Sequence, residues 1–437
     1  MFTYLKQGIV INQPKNILIE NDLIKEVSDR DISLPEGCEV IDCSGMIILP
    51  GVIDAHVHFR QPGAEHKADM QSESMAALAG GVTSVFDMPN NSPAITSLEK
   101  LNDKYALCEK NMRCNYSLYY GLTNDNTDEA INLEKGSVAG LKLFLGSSTG
   151  NMLVDRKESI ERLFKNSPFI ITAHCEDEQI IRANLEKAHN FDTLPYNIHS
   201  IIRNEECCYK SSEFAVSMAK KFGTQFHLAH LTTGKEISLL SNDKLANKNI
   251  SSEVSPNHLF FSEEDYKERG NLIKCNPSIK TADDRKMLRQ ALKEGYIDIV
   301  ATDHAPHLFE EKTKDYFSAP SGMPSIQFSL LMMLEIAEQE NWDLSLIAEK
   351  MSGNPAKRFG IKQRGFIEKN YFADLVLIRK GKKTIVTKEN ILSKCAWSPL
   401  ECKEFSNSIE MTFLNGKKVY DKGVFAEGNF ARKLTFL

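Results

Sequence analysis

Apolar runs and amphipathic stretches alternate through the middle of the chain. Runs rich in Val, Ile, Leu and Tyr predict buried strands, and stretches such as DMQSESMAALAGG, EDEQIIRANLEKAHN and DDRKMLRQALKEG predict helices between them. The predicted strands span 52–58, 82–88, 115–121, 139–144, 168–174, 225–230, 250–255 and 297–303. Eight strands in βα alternation predict an α/β fold, and they favour a TIM-type (β/α)8 barrel over a doubly wound sheet.

Both ends of the chain have a different pattern. Short β-like pieces separated by turn residues occur near the start (GIVINQ, NILIEN, LIKEV) and after about residue 365 (DLVLIR, KKTIVT, MTFLNGKKVYDKG). We predict that the two ends together build one small β-sandwich-like domain. The expected domains are therefore 1–50 and 363–437 for the two parts of this small domain, and 51–362 for the barrel.

Composition and charge narrow the class of partner. The 437-residue chain has a net charge of −6 and 42% hydrophobic residues, which is typical of a globular protein and argues against nucleic acid as a main partner. No apolar run reaches the length of a membrane span, and MFTYLKQGIVINQPK has no signal-peptide layout. The ten cysteines form no CxxC pair, which favours reduced thiols. We expect a cytoplasmic protein that acts on a small molecule.

Polar residues gather at the C-terminal ends of the predicted strands, where a barrel of this type carries its chemistry. The first strand ends with His56 and His58, whose i, i+2 spacing puts both imidazoles on one face. The fifth strand ends at His174, the sixth at His230 and the eighth at Asp303. Imidazole and carboxylate groups are ligands of zinc-type metal ions, so we predict a metal centre here.

Lys142 interrupts the apolar fourth strand in VAGLKLFLGSSTG. A lysine is rarely buried unless its charge is compensated. One interpretation is that the side chain snorkels or pairs with a carboxylate. The other is that burial frees a neutral amine, which reacts with CO2 to give a carbamate that can bridge two metal ions. The predicted metal centre favours the carbamate, because divalent ions would repel an ammonium group.

Two further histidines, His227 and His304, occur near the same strand ends. His227 does not share a face with His230 under strict alternation, and His304 directly follows Asp303 and should point the opposite way. We therefore expect both to be structural or supporting residues.

Motifs in chain order resemble those of dihydroorotases of the amidohydrolase superfamily. They are DAHVHFRQPG, GGVTSVFDMPNN, KLFLGSSTG, TAHCED, LAHLTTG, SPNHLFFSEEDY, KCNPSIK and ATDHAPH, and they run from about residue 50 to 325. The resemblance implies one zinc ion on His56, His58 and Asp303, a second on His174 and His230, and a carboxylated Lys142 bridging them. It also implies substrate contacts from Arg60, Asn90, Asn276, His307 and the Ser321–Gly322 backbone. Some bacterial members carry an aspartate in place of the lysine, so this chain resembles the lysine-bearing branch.

The reaction implied by the resemblance is reversible hydrolysis of the cyclic amide (S)-dihydroorotate to N-carbamoyl-L-aspartate, the third step of de novo pyrimidine biosynthesis. The expected cofactors are two Zn2+ ions per chain and the CO2-derived carbamate. A hydroxide shared by the two ions would attack the ring carbonyl, and Asp303 would accept its proton and pass it to the departing nitrogen. Arg60 suits the substrate carboxylate, because a planar guanidinium binds such a group bidentately.

Two alternatives stay open. A hydantoinase, dihydropyrimidinase or allantoinase would share the metal ligands, although Arg60 and the last histidine of ATDHAPH argue against rings without a carboxylate. An inactive barrel that assembles with aspartate transcarbamoylase is the other alternative, although such a protein is expected to have lost ligands that this chain keeps. The sequence does not decide the oligomeric state, for which a homodimer is one option.

Overall fold

The computed structural model describes residues 1–146 and 152–437, and the residues 147–151 that follow the predicted fourth strand lie outside these ranges. The strands in the described ranges are β1 (Phe2–Val10), β2 (Gln13–Glu20), β3 (Leu23–Ser28), β4 (Glu39–Asp42), β5 (Met46–Pro50), β6 (Val52–Val57), β7 (Val82–Asp87), β8 (Asn115–Gly121), β9 (Gly140–Phe144), β10 (Ile171–His174), β11 (Phe226–Leu228), β12 (Ile250–Val254), β13 (Ile299–Val300), β14 (Leu375–Ile385), β15 (Glu404–Leu414), β16 (Lys417–Asp421) and β17 (Val424–Phe425).

The α-helices of the same ranges lie mainly between the barrel strands. They are α1 (Met70–Ala79), α2 (Leu98–Asn111), α3 (Thr127–Ile131), α4 (Lys157–Asn166), α5 (Glu178–Ala188), α6 (Ile198–Ile202), α7 (Glu205–Phe222), α8 (Pro256–Phe260), α9 (Tyr266–Arg269), α10 (Ala282–Glu294), α11 (Phe309–Lys312), α12 (Ser329–Gln339), α13 (Leu344–Ala348) and α14 (Asn354–Phe359). In the described part of the chain, no helix is long and apolar enough to span a membrane.

Strands β6 to β13 form one eight-stranded sheet in chain order, with parallel neighbours throughout. Each contains residues of one predicted strand, and α1, α5 and α10 coincide with the three predicted helices. The residues of β6, β7 and β8 are buried along their whole length, as expected where helices cover the outside of a parallel sheet. The predicted (β/α)8 barrel is confirmed.

The barrel closes where the residues after β13 meet β6. The backbone N–H of His58 donates to the carbonyl of His304 at 2.8 Å, and Val57 and His304 form a parallel bridge. The buried carboxylate of Asp54 reinforces this seam, because it accepts the N–H of Thr302 at 3.0 Å and its hydroxyl at 2.6 Å. The seam therefore places the ends of the first and eighth strands side by side.

The two chain ends form a second sheet of nine strands, in the order β17-β16-β15-β14-β5-β1-β2-β3, with β4 beside β1. Its centre joins the two halves, because β14 pairs antiparallel with β5 over five residue pairs from Leu375↔Pro50 to Arg379↔Met46. The prediction that both ends build one β-domain is confirmed, and hydrogen bonds connect all nine strands into a continuous sheet. The boundaries after residues 50 and 362 stay predictions.

Candidate active site

Three of the predicted metal ligands meet at the seam of the barrel. Nε2 of His56 and Nε2 of His58 lie 3.3 and 3.0 Å from the same Oδ1 atom of Asp303. Asp303 has a left-handed backbone with φ of 50°, which is uncommon for a residue with a side chain. Such conformations persist where the surrounding structure enforces them, and they cluster at functional sites.

His174 and His230 complete the cluster. Nδ1 of His174 lies 3.0 Å from Nε2 of His230, and the rings of His230 and His56 have centroids 5.4 Å apart. One ligand atom each from His56, His230 and Asp303 lies within 4.8 Å of the other two. Burial lowers the pKa of His230 well below its ordinary value, which favours the neutral imidazole that can coordinate a metal ion. The structure thus brings together the five side chains that the sequence placed at the ends of four strands.

The opposite ring nitrogen of three of these histidines faces an acceptor oxygen. The distances are 2.5 Å from His56 Nδ1 to Glu253 Oε1, 2.7 Å from His58 Nδ1 to Asn90 Oδ1, and 2.9 Å from His174 Nε2 to Glu176 Oε2. Because an N–H on that side donates to the oxygen, the lone pair remains on the nitrogen that faces the cluster. Metal-binding histidines are typically oriented in this way.

Glu253 and Glu176 are site residues that sequence reasoning missed. The two carboxylate oxygens of Glu253 hold His56 and His227, and those histidines keep the pKa of this carboxyl well below its usual range although burial raises it. Glu176 pairs with His174 and with the guanidinium of Arg203. A signal for each was present in the sequence, since a carboxylate stands inside the strand ISSEVS and another follows His174 by two residues.

Lys142 lies on β9 with a side chain that is 1% exposed, which is too deep for snorkelling. Within the described ranges, no carboxylate forms an ion pair with its Nζ atom and no group accepts a hydrogen bond from it; the ring centroid of Phe144 lies 5.2 Å away. Burial lowers the pKa of Lys142 to about 8, and the carboxylates of Glu253 and Asp303 partly oppose that shift. An amine of this kind is readily available in its neutral, reactive form.

Arg60, His307 and Ser321 form a second group of predicted residues. Lys67 Nζ donates to His307 Nδ1 at 3.1 Å, so the hydrogen on Nε2 can be donated to the Ser321 carbonyl at 3.0 Å. Burial and the neighbouring Arg60 lower the pKa of His307 to about 2, which keeps the imidazole neutral. Nη2 of Arg60 lies 3.0 Å from that Nε2 atom, while its Nε donates to the carbonyl of Pro306 at 2.9 Å.

The remaining predicted substrate contacts are Asn90, Asn276 and Gly322. Asn90 supports His58 as described above. The amide oxygen of Asn276 is buried and has no hydrogen-bond partner among the described residues, which leaves it available to a ligand. The N–H of Gly322 already donates to the carbonyl of Lys274 at 2.9 Å, so only the other backbone groups of Ser321–Gly322 can serve a substrate. Gly322 has φ of 131°, and a Cβ there would lie 2.5 Å from the carbonyl oxygen of Ala305.

The two histidines expected to be structural have their own partners. His227 contacts Ser251 Oγ at 2.8 Å and Glu253 at 3.1 Å. His304 contacts Glu73 at 2.8 Å and accepts the backbone N–H of Ser325 at 3.0 Å. Both ring nitrogens of each residue are therefore engaged, and His227 supports the cluster through Glu253.

The donor set of the cluster fits divalent metal ions. Imidazoles and a carboxylate converge from several strands, and Glu253, Asn90 and Glu176 satisfy the outer hydrogen bonds of three of the imidazoles. Burial alone would raise the pKa of Asp303. The histidines around it have the larger, opposite effect, so that the pKa lies below its ordinary value. The carboxylate is therefore ionised at neutral pH and suited to bind a cation.

Comparison with known proteins identifies the family of the chain. The sequence profile of the amidohydrolase family matches residues 47–419. A dihydroorotase of Methanosarcina acetivorans is 32% identical over 400 residues, covering 89% of this chain and 85% of that protein, and one of Staphylococcus epidermidis is 29% identical, covering 96% and 97%. The solved L-hydantoinase (dihydropyrimidinase) of Arthrobacter aurescens has a TM-score of 0.93 over 100% of both chains at 23% identity.

The chain belongs to the amidohydrolase family, whose members are generally metal-dependent hydrolases. Its sequence relatives place it among the dihydroorotases, whereas the likeness to the hydantoinase structure at 23% identity shows the shared fold alone.

Proposed function

We propose that the protein is a dihydroorotase that opens the ring of (S)-dihydroorotate to N-carbamoyl-L-aspartate and closes it in the biosynthetic direction. The observation that carries the proposal is the state of Arg60. Its guanidinium is half-buried beside His307 and forms no ion pair with a carboxylate in the described part of the chain. A positive charge of this kind, next to a cluster of metal ligands, favours a ring substrate that brings its own carboxylate.

The residues present would hold two divalent ions, for which zinc suits the imidazole and carboxylate donors. His56, His58 and Asp303 would bind one ion, His174 and His230 the other, and Lys142 as its carbamate would bridge them. Ions bound there supply a nucleophilic water at neutral pH and polarise the ring carbonyl.

Asp303 is the residue that we propose moves the proton. Its carboxylate is ionised at neutral pH and therefore has an open position for the proton of the attacking water. It then passes this proton to the ring nitrogen as the amide bond breaks, and the reverse transfer accompanies ring closure. Nearby, Arg60 and His307 would hold the substrate carboxylate, and Asn90, Asn276, Ser321 and Gly322 would orient the ring.

The alternatives are weaker because of particular residues. A hydantoinase or allantoinase acts on a ring without a carboxylate, which would leave the charge of Arg60 without a partner. An inactive protein that assembles with aspartate transcarbamoylase has no need for a complete ligand cluster, yet the side chains of His56, His58, His174, His230 and Asp303 all converge.

The decisive experiment compares two substrates on Arg60→Met. A sheltered charge-assisted contact contributes about 1.5–3 kcal/mol, which is roughly ten- to a hundredfold in catalytic efficiency at about 1.4 kcal/mol per decade. We expect kcat/KM for dihydroorotate to fall by at least that factor, while feeble hydrolysis of uncharged dihydrouracil falls much less and metal content is unchanged.

The matched control is Arg182→Met, which removes an exposed arginine paired with Glu178 on α5. This variant should hydrolyse both substrates like the parent protein. Equal losses on dihydroorotate and dihydrouracil in Arg60→Met would mean that Arg60 supports the site without selecting the substrate.

A further inference from the structure

Two buried lysines lie behind the predicted substrate residues. Lys274 is only 7% exposed to solvent and Lys312 only 1%. No carboxylate of the described ranges forms an ion pair with either lysine. A buried ammonium without an acidic partner is costly unless hydrogen bonds compensate it. Burial accordingly lowers the pKa of Lys312 to about 7 and that of Lys274 to about 8.

Both lysines use their Nζ atoms on backbone carbonyls instead. Lys274 donates to the carbonyls of Tyr316 and Ala319, each at 2.6 Å. Lys312 donates to the carbonyls of Lys274 and Pro320, each at 2.9 Å. Without these donors, the carbonyls of Tyr316, Ala319 and Pro320 would lose the side-chain partner that ties them to the lysines, and the Lys274 carbonyl would keep only the N–H of Gly322.

These carbonyls lie directly next to the predicted substrate contacts. Tyr316, Ala319 and Pro320 come just before Ser321–Gly322, and the carbonyl of Lys274 also accepts the N–H of Gly322 at 2.9 Å. The Lys274 carbonyl thus ties the segment that carries Asn276, two residues further on, to the segment that carries Gly322.

His307 belongs to the same arrangement. It stands at the start of the segment that ends at Ser321, and its Nε2 lies 3.0 Å from the Ser321 carbonyl. The two lysine side chains therefore fix the relative positions of three groups that the proposed function assigns to the substrate: Asn276, His307 and the Ser321–Gly322 backbone.

We propose that Lys274 and Lys312 are positioning residues. Their hydrogen bonds to backbone carbonyls clamp residues 313–320 and thereby hold Asn276, His307 and Ser321–Gly322 in place for the substrate. Their hydrogen bonds also reduce the negative potential of these carbonyl oxygens, which lie close to a site that must attract an anion. The clamp follows from the contacts alone, whereas its effect on catalysis rests on the proposed function.

The kinetic test uses Lys312→Met, which keeps the volume of the side chain and removes the donor. We expect KM for dihydroorotate to rise about tenfold or more, kcat to change less than KM, and metal content to stay at the parental value. The control is Lys350→Met, because Lys350 is equally buried and donates to the carbonyl of Ile297 at 3.0 Å, ahead of β13 and away from the substrate residues. This control should leave KM unchanged.

A second measurement reads the clamp without any substrate. Hydrogen–deuterium exchange of peptides covering residues 308–322 should become faster in Lys312→Met and stay unchanged in Lys350→Met. Lys274→Met changes the more exposed of the two lysines and should give the same result. It replaces Lys312→Met in this experiment if that variant does not fold. Unchanged exchange in these peptides would overturn the clamp, whatever the substrate. Faster exchange with no activity on dihydroorotate in the parent protein would instead contradict the proposed function alone.

Discussion

Most histidines of the cluster are oriented by a hydrogen bond on the ring nitrogen that points away from the cluster. Glu253, Asn90 and Glu176 each fix one imidazole, and Glu253 is itself fixed by His227. Lys142 differs from them, since its amine has no hydrogen-bond or ion-pair partner in the described ranges and burial lowers its pKa to about 8. These features are consistent with the carbamate proposed at Lys142.

Lys142→Ala therefore tests the proposed carbamate. Loss of the bridging group should remove most of one metal ion per chain, measured by elemental analysis, and nearly all turnover of dihydroorotate. A short carboxylic acid such as propionate should restore part of both, because it offers two oxygens in the vacated space. Near-normal turnover in Lys142→Ala would show that the bridge is not needed.

The same acid provides an internal control with Asp303→Asn. This variant should fold normally but lose a factor of about a hundred or more in turnover, the usual scale for a missing proton-transfer group. Propionate should not restore it, because the acid replaces a bridging anion and not a positioned base.

At the scale of elements, the seam between β6 and the residues after β13 decides whether the ligands meet. Asp54 carries this seam, because its carboxylate binds both polar groups of Thr302 and accepts the N–H of His56 at 3.2 Å. Burial raises the pKa of Asp54 to about 6, although the hydrogen bonds from Thr302 oppose that shift. The seam thus depends on a carboxylate that is costly to ionise in place.

Thr302→Val should weaken the seam in a pH-dependent way. The lost hydroxyl donor costs about 1–3 kcal/mol of unfolding free energy, measured by denaturant titration. The folded-state pKa of Asp54 already exceeds its unfolded value, so its contribution to stability falls as the pH rises from about 4 to 6. Removing a donor raises this pKa further, so the loss relative to the parent should be larger at pH 8 than at pH 5.

Thr83→Val is the matched control on the neighbouring strand. Thr83 is buried in β7 and donates to the neutral carbonyl of Val52 at 3.3 Å. Its loss should be smaller and should not depend on pH over this range. An equal, pH-independent loss in both variants would mean that Asp54 does not sense the Thr302 hydroxyl.

At the scale of the whole molecule, the β-domain also reaches the active site. Between β14 and β15 the chain leaves the sheet, and there Nε1 of Trp397 donates to the carbonyl of His307 at 2.7 Å. In the same segment the Ser393 hydroxyl donates to Glu73, the residue that holds His304. The two predicted domains therefore share the support of one site.

The thermal stability of the whole chain should consequently depend on its metal content. We expect two divalent ions per chain, zinc foremost, in the fully active protein by elemental analysis. Removal by a chelator should abolish turnover and lower the thermal midpoint, because ions that bind only the folded state stabilise it. Restoring zinc should reverse both effects. Full activity with one ion or none would contradict the proposed two-metal site.

Local sequence was sufficient for much of this protein. Apolar runs predicted all eight barrel strands. The position of five polar residues at strand ends predicted one cluster, made of His56, His58, His174, His230 and Asp303. The strands are confirmed, and the five side chains do converge, because the strand period is set by short-range patterns and parallel topology brings strand ends to one rim. Their role as metal ligands stays a prediction.

Tertiary structure alone decided the support of the site. Glu253 becomes the partner of His56 only when residues 197 positions apart meet, and the Lys274 and Lys312 amines donate to backbone carbonyls that the sequence pattern does not pair with them. A single polar residue inside a strand or loop looks the same in sequence whether it faces solvent, a partner or a ligand. Its role depends on burial and on hydrogen bonds between distant segments, which exist only once the barrel has closed.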